Sequence, residues 1–251
     1  MLIRLATAFE TGWQDCGVRA SLSLAVAQPE CVPGDTRANG LIHGRAVVDA
    51  GARVVVFPEL SLTGYELDAA LVEAGDGALD PVVAACASTG STALVGAPIP
   101  GPGGRAYIAM LEVSPGGVAV LYRKQWIGGD EAARFSPGDE PTVFEVDGWR
   151  LGVGICRDTG IGEHVERMAG LDIDAYVAGL VHRSDDLAEQ ERRAAWIAGR
   201  CRAYVAFASF AGPTGGGYHH TAGSSAIWSP AADVLAQAGT MPGDLARATL
   251  D

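Results

Sequence analysis

A chain of 251 residues, 48% apolar and 19% charged, has the material for one large buried core and lacks the composition of a disordered polymer. Its formal net charge of −12, with no run of Lys or Arg, excludes a surface built to track phosphates or anionic lipid, so neither nucleic acid nor membrane is expected as a partner. The five cysteines, odd in number and without C-x-x-C spacing, read as reduced thiols of a cytoplasmic protein, and no run of about 18 apolar residues offers a membrane span.

Residues 1–20 carry no convincing element and are expected to form a peripheral extension, leaving 21–251 as a single domain. The alternation SLSLAVAQ predicts a strand over 21–28, and the apolar run VVVF predicts a buried one over 54–57. Between them, a helix over 39–50 places Leu41, Ile42, Ala46, Val47 and Ala50 on one face, completing a β-α-β unit. Strands follow at 93–95, 107–113 and 118–122, separated by the Pro-Gly turns PIPGPGG and SPGG, which imply antiparallel pairing. A hairpin with Asp147-Gly148 at its turn joins 142–146 to a buried arm, 149–156. The remainder reads as a helix over 163–170, a strand over 175–180, a helix over 186–202, and strands over 203–210 and 225–228. Strands alternating with helices, with hairpins mixed in, argue an α/β protein on mixed sheets.

Three of these strands end in residues able to do chemistry. In VVVFPEL, Pro58 stops the ladder and Glu59 emerges at the strand tip, where apolar neighbours would raise its pKa into the range of a general base. In VAVLYRKQW, strand alternation lets only one of Arg123 and Lys124 face inward. Lys124 is the sole lysine among 18 Lys and Arg, so this position asks for a compact ammonium rather than a guanidinium; Arg123 is assigned outward. In RLGVGICRDTG, a buried strand delivers Cys156 into a sharp turn, with backbone N–H groups beyond it placed as in an oxyanion hole.

Together, FPELSLTGY around Glu59, YRKQW around Lys124, the E-x-x-x-F-x-P-G of Glu131 to Gly138, and GICRD around Cys156 resemble the nitrilase, or carbon–nitrogen hydrolase, superfamily. The later segments RRAAWIAGRCRAYVAFASFAG and AGSSAIWSP extend the resemblance. It implies a four-layer α-β-β-α sandwich, a Glu59-Lys124-Cys156 triad, Glu131 as an accessory acid with Asp130 as rival, and oxyanion or substrate contacts from Arg157 and Asp158. It further implies hydrolysis of a small amide by water through a cysteine thioester, without cofactor or metal, in a homodimer or larger homo-oligomer. Arg157-Asp158 in place of a Trp-Glu pair after the cysteine leans toward amidase or N-carbamoyl hydrolase chemistry over nitrile hydrolysis.

Other readings compete. A Cys-His-Asn catalyst would need Asn39, the single asparagine, which the pattern puts at an exposed helix start. His219-His220 lacks the spacing of a zinc set, and GVGICR fails the dinucleotide fingerprint at Arg157. The Gly-rich loop around His219 instead is expected to border the pocket. An acyltransferase, or a non-catalytic binding module on the same fold, remains as an alternative of another class.

Overall fold

Strand β1 (Leu22–Ala27) turns Leu24 and Val26 to one side and Ala25 and Ala27 to the other, and all four are buried. β2 (Val54–Val56) divides Val54 and Val56 from Val55 in the same way. A sheet buried on both faces requires a layer on each side, and the chain supplies both. The structure, a computed structural model, describes residues 19–73 and 75–251. Residues 1–18 of the extension expected at 1–20 lie outside the described residues. Residues 19 and 20, grouped with it above, are anchored: Arg19 pairs with Asp174 at 2.6 Å and stacks over Trp149, whose indole N–H donates to the Ala20 carbonyl at 2.9 Å.

The first half of the chain continues with α1 (Thr36–Ala50), α2 (Asp80–Thr89), β3 (Thr92–Pro100), β4 (Ala106–Ser114) and β5 (Gly117–Arg123). The second half adds β6 (Thr142–Val146), β7 (Trp149–Ile155), α3 (Gly162–Ala169), β8 (Ala175–Leu180), α4 (Leu187–Cys201), β9 (Tyr204–Ser209), β10 (Ala226–Trp228), β11 (Val234–Gln237) and β12 (Leu245–Leu250). They form two six-stranded mixed sheets, ordered β12-β1-β2-β3-β4-β5 and β11-β10-β9-β8-β7-β6. Within each, three parallel strands are flanked by antiparallel ones.

The sheets face each other across Leu24, Val26, Val54 and Val56 on one side and Leu151, Val153, Val177 and Ala206 on the other. Helices α1 and α2 cover the outer face of the first sheet through Val47 and Val82, and α3 and α4 cover the second through Met168 and Ile197. This is the four-layer α-β-β-α sandwich. No helix among the described residues is long and apolar enough to cross a membrane.

Two expectations for α1 are corrected. The helix begins earlier, at Thr36, because Asp35 caps it by accepting from the Ala38 N–H at 2.9 Å. Its buried face carries Asn39, His43, Val47 and Ala50, while Leu41 is exposed. The face is rotated because Gly40 and Gly44 meet the backbone of Ala78 and Pro81, so that a Cβ on Gly44 would lie 2.8 Å from the Pro81 carbonyl oxygen. Asn39 is therefore not exposed: its side chain staples the Val32 N–H and carbonyl at 2.8 Å and accepts no catalytic role.

Candidate active site

Strands β2 and β5 of one sheet and β7 of the other run out at the same end of the sandwich, and Glu59, Lys124 and Cys156 follow their last residues by one to three positions. Pro58 offers no N–H to continue the ladder, and Leu60 turns the chain at a positive φ of 52°. The peptide carrying Glu59 is gripped by glycines of both sheets. A Cβ on Gly96 would stand 2.5 Å from the Leu60 nitrogen, and one on Gly179 would stand 2.7 Å from the Glu59 nitrogen. Only backbone fits between.

Lys124 is held by its own N–H to the Ile108 carbonyl at 2.8 Å, and it points inward as alternation requires. Its ammonium donates to Glu59 Oε1 at 2.7 Å and to Glu131 Oε1 and Oε2 at 2.7 and 2.9 Å. Glu131 also accepts from the Tyr65 hydroxyl at 2.6 Å and the Gly128 N–H at 3.2 Å. Between the two acids named as rivals, Glu131 is the one in contact with Lys124; Asp130 is exposed at the cavity rim. Arg123 is half-buried on the other side, its guanidinium over the Tyr107 ring.

Cys156 starts a 3₁₀ turn over Cys156–Gly160 with φ 41°, a left-handed conformation costly for a residue with a Cβ. The Thr159 hydroxyl donates to the Cys156 carbonyl at 2.6 Å and braces the elbow, while the thiol lies 3.6 Å from the Val181 carbonyl. The sulfur opens into a cavity of about 380 Å³ shared with Lys124 and Glu131.

Glu59 has no exposed surface, and its Oε2 has no hydrogen-bond partner among the described residues. Burial pushes its carboxyl well above the usual range, the neighbouring Cys156 and Glu131 push further, and only Lys124 opposes them. Burial alone would lower the Lys124 ammonium, but Glu59, Cys156 and Glu131 overcome it and hold the amine protonated. One cation between two carboxylates leaves one negative charge uncompensated, and protonation of Glu59 relieves it. The site thus contains a proton-accepting carboxylate, a fixed ammonium and a thiol on a strained elbow.

Asp158 is the residue whose placement differs from expectation. Its carboxylate does not line the cavity; it turns inward and accepts from the Tyr122 hydroxyl at 2.8 Å, the Trp126 N–H at 3.0 Å and the Ile155 N–H at 3.0 Å. Those donors flank Lys124 on one side and Cys156 on the other, so Asp158 ties the two strand ends together. Burial raises its pKa to about 6, against the pull of Lys124 and the three donors. Arg157, by contrast, does line the cavity.

Sequence reasoning passed over Tyr65, His182, Arg183 and Arg193, which also line it. Tyr65 and Arg193 fall within the segments FPELSLTGY and RRAAWIAGRCRAYVAFASFAG without being singled out, and His182 and Arg183 lie on the loop between β8 and α4, which carries no motif. The Gly-rich loop borders the cavity as expected, through Gly216 and Tyr218.

The α-β-β-α sandwich is that of the nitrilase superfamily. Nit3 from Saccharomyces cerevisiae, a member of its branch 10, superposes with a TM-score of 0.81 at 20% identity, over 92% of this chain and 90% of that one. An amidase from Nesterenkonia sp. AN1, seen with acrylamide added at its active-site cysteine, superposes at 0.79 with 25% identity over 92% of each chain. The sequence matches the carbon-nitrogen hydrolase family over residues 23–251, and the chain belongs to that family. A hydrolase of the pqqF 5′ region of Pseudomonas protegens is 31% identical over 203 residues, 76% of this chain and 70% of that protein.

Proposed function

We propose that this protein hydrolyses a small amide through a thioester on Cys156. The observation that carries the reading is the placement of Lys124 within hydrogen-bond reach of both Glu59 and Glu131 beside a thiol on a positive-φ elbow. Glu59 accepts the thiol proton as Cys156 Sγ bonds to the amide carbon. The oxygen charge that develops is met by the Lys124 ammonium and the Arg157 N–H. Glu59 returns the proton to the leaving nitrogen as the carbon–nitrogen bond breaks, leaving the thioester. Water then attacks with Glu59 again as base, releasing the acid and the free thiol. Glu131 holds Lys124 in place and, with Tyr65, fixes the cavity wall. A variant of the amidase from Nesterenkonia undergoes Michael addition of acrylamide at its active-site cysteine, which supports a nucleophilic cysteine in this fold.

The test is release of ammonia or amine from a panel of simple amides, carbamoyl amides and nitriles, with Cys156→Ala as control. Turnover of amides that disappears in the variant supports the reading, and equal turnover by the variant contradicts it. Transfer of the acyl group to an added amine in place of water would make the protein an acyltransferase on the same intermediate.

A further inference from the structure

The electrostatic lining of the cavity specifies more than an amide. On a chain of net charge −12, four of the 18 Lys and Arg line this one cavity: Lys124, Arg157, Arg183 and Arg193. Facing them are Asp130 at the rim and Glu131, whose charge is already met by Lys124. Arg193 is also committed, bonding Glu189 at 2.7 Å and the Thr159 hydroxyl at 3.3 Å, where it buttresses the turn after Cys156.

Arg157 and Arg183 are different. Among the described residues neither has a carboxylate within ion-pair distance. Arg183 is braced over the Tyr218 ring, 5.0 Å from its centroid, and makes one long bond to the Gly217 carbonyl at 3.4 Å. Arg157 lies flat against Gly128, where an added Cβ would be 2.6 Å from its Nη1 and 3.0 Å from its Cζ. Both residues are exposed, and each guanidinium rests against one neighbour with most of its donors free. A guanidinium fork held in that state is matched by a planar carboxylate. Clustered cations at this opening of an acidic molecule have a further effect: they favour the approach of an anion that the net charge would otherwise repel.

We propose that the substrate is an amide bearing a carboxylate remote from the scissile bond, received by Arg157 and Arg183. The proposal rests on the hydrolase reading above and names its substrate class. The carboxylate can sit on the acyl side, as in the monoamide of a short dicarboxylic acid, or on the nitrogen side, as in an N-carbamoyl amino acid; the receptor chemistry is shared.

The experiment compares kcat/KM of the full-length protein for matched pairs: succinamic acid against succinamide, glutaramic acid against glutaramide, and N-carbamoyl-β-alanine against its methyl ester. The expected result is a preference of about 10- to 100-fold for the anionic member of at least one pair, the range for charge-assisted hydrogen bonds. The pair that shows it tells on which side the carboxylate lies. The preference should shrink with added salt, and Arg183→Ala should collapse the ratio toward one, chiefly through KM, with Arg183→Lys recovering part of it. Turnover of neutral members with no preference, or a ratio unchanged in Arg183→Ala, overturns the proposal and leaves the hydrolase reading standing. Absence of turnover and of any acyl adduct on Cys156 with every member overturns both.

Discussion

Gly96 on β3 and Gly179 on β8 press on the same stretch of backbone, Phe57 to Leu60, from the two different sheets of the sandwich. The carboxylate of Glu59 is therefore registered against both halves of the chain at once, and its position is set by close packing rather than by a side-chain tether alone.

Gly179→Ala tests this directly. The new methyl would sit 2.6 Å from the Phe57 carbonyl oxygen and 2.7 Å from the Glu59 nitrogen, so the backbone must move. The expected cost is about 1–3 kcal/mol of unfolding free energy, with kcat falling more than KM rises. Gly199→Ala, where nothing lies within 4 Å, is the control. It should instead gain up to about 1 kcal/mol, as alanine does for glycine within a helix. Urea unfolding and steady-state kinetics of both variants decide it.

Lys124→Arg should not restore activity despite keeping the charge. The ammonium fits within 2.7 Å of both Glu59 and Glu131 with 1% of its surface exposed, and a planar guanidinium does not enter that space without displacing one carboxylate. A loss of about 10²- to 10³-fold in kcat is expected, the range for removing one oxyanion donor, in a variant whose circular dichroism shows it folded.

Asp158→Asn probes the tie between the Lys124 and Cys156 arms. Replacing the carboxylate by an amide weakens the bonds from Tyr122, Trp126 and Ile155, at about 1–3 kcal/mol for a charge-assisted set. The folded pKa of about 6 lies above the ordinary carboxyl value, so the charged acceptor is complete above that pH and is lost as pH falls through it. The acid limb of the wild-type activity profile should thus carry a component centred near pH 6 that is missing from the variant.

His43 supplies a stability prediction apart from the site. Its ring is fully buried, with Nδ1 2.7 Å from the Asn39 carbonyl and Nε2 2.9 Å from the Ser61 hydroxyl, and burial lowers its pKa to about 4. The unfolded chain binds the proton below about 6.5 while the folded one does not until about 4. Stability from this residue is therefore intact above 6.5 and is lost as pH falls from there to 4, by about 1.4 kcal/mol per pH unit. Unfolding free energy measured between pH 7 and 5 should fall less steeply in His43→Gln.

Much of this was written in local pattern. β-branched runs such as VVV at 54–56 and alternation such as LSLAVA at 22–27 announce strands whatever their surroundings, and strand tips told where Glu59, Lys124 and Cys156 emerge. What escaped lacks a local signature. Helix α2, DPVVAACAST, is made of small residues without a polar face; β12, LARATL, is short and carries an arginine; and both take their identity from the elements they pack on. Asp158 was misplaced because a carboxylate next to a nucleophile looks the same in sequence whether it faces the cavity or the protein. Arg183 and the gripping glycines depend on neighbours far away in the chain, which no window of sequence contains.

The central claim is that Cys156 carries the acyl group. Rapid acid quench of the protein mixed with a small amide, followed by intact-mass and peptide-mass analysis, measures it most directly. The expected result is a mass increase equal to the acyl fragment, confined to the peptide containing Cys156, reduced in Glu59→Gln, which lacks the carboxylate that forms the thioester, and absent from Cys156→Ala. An unmodified Cys156 peptide during active turnover, or turnover that persists in Cys156→Ala, would contradict it.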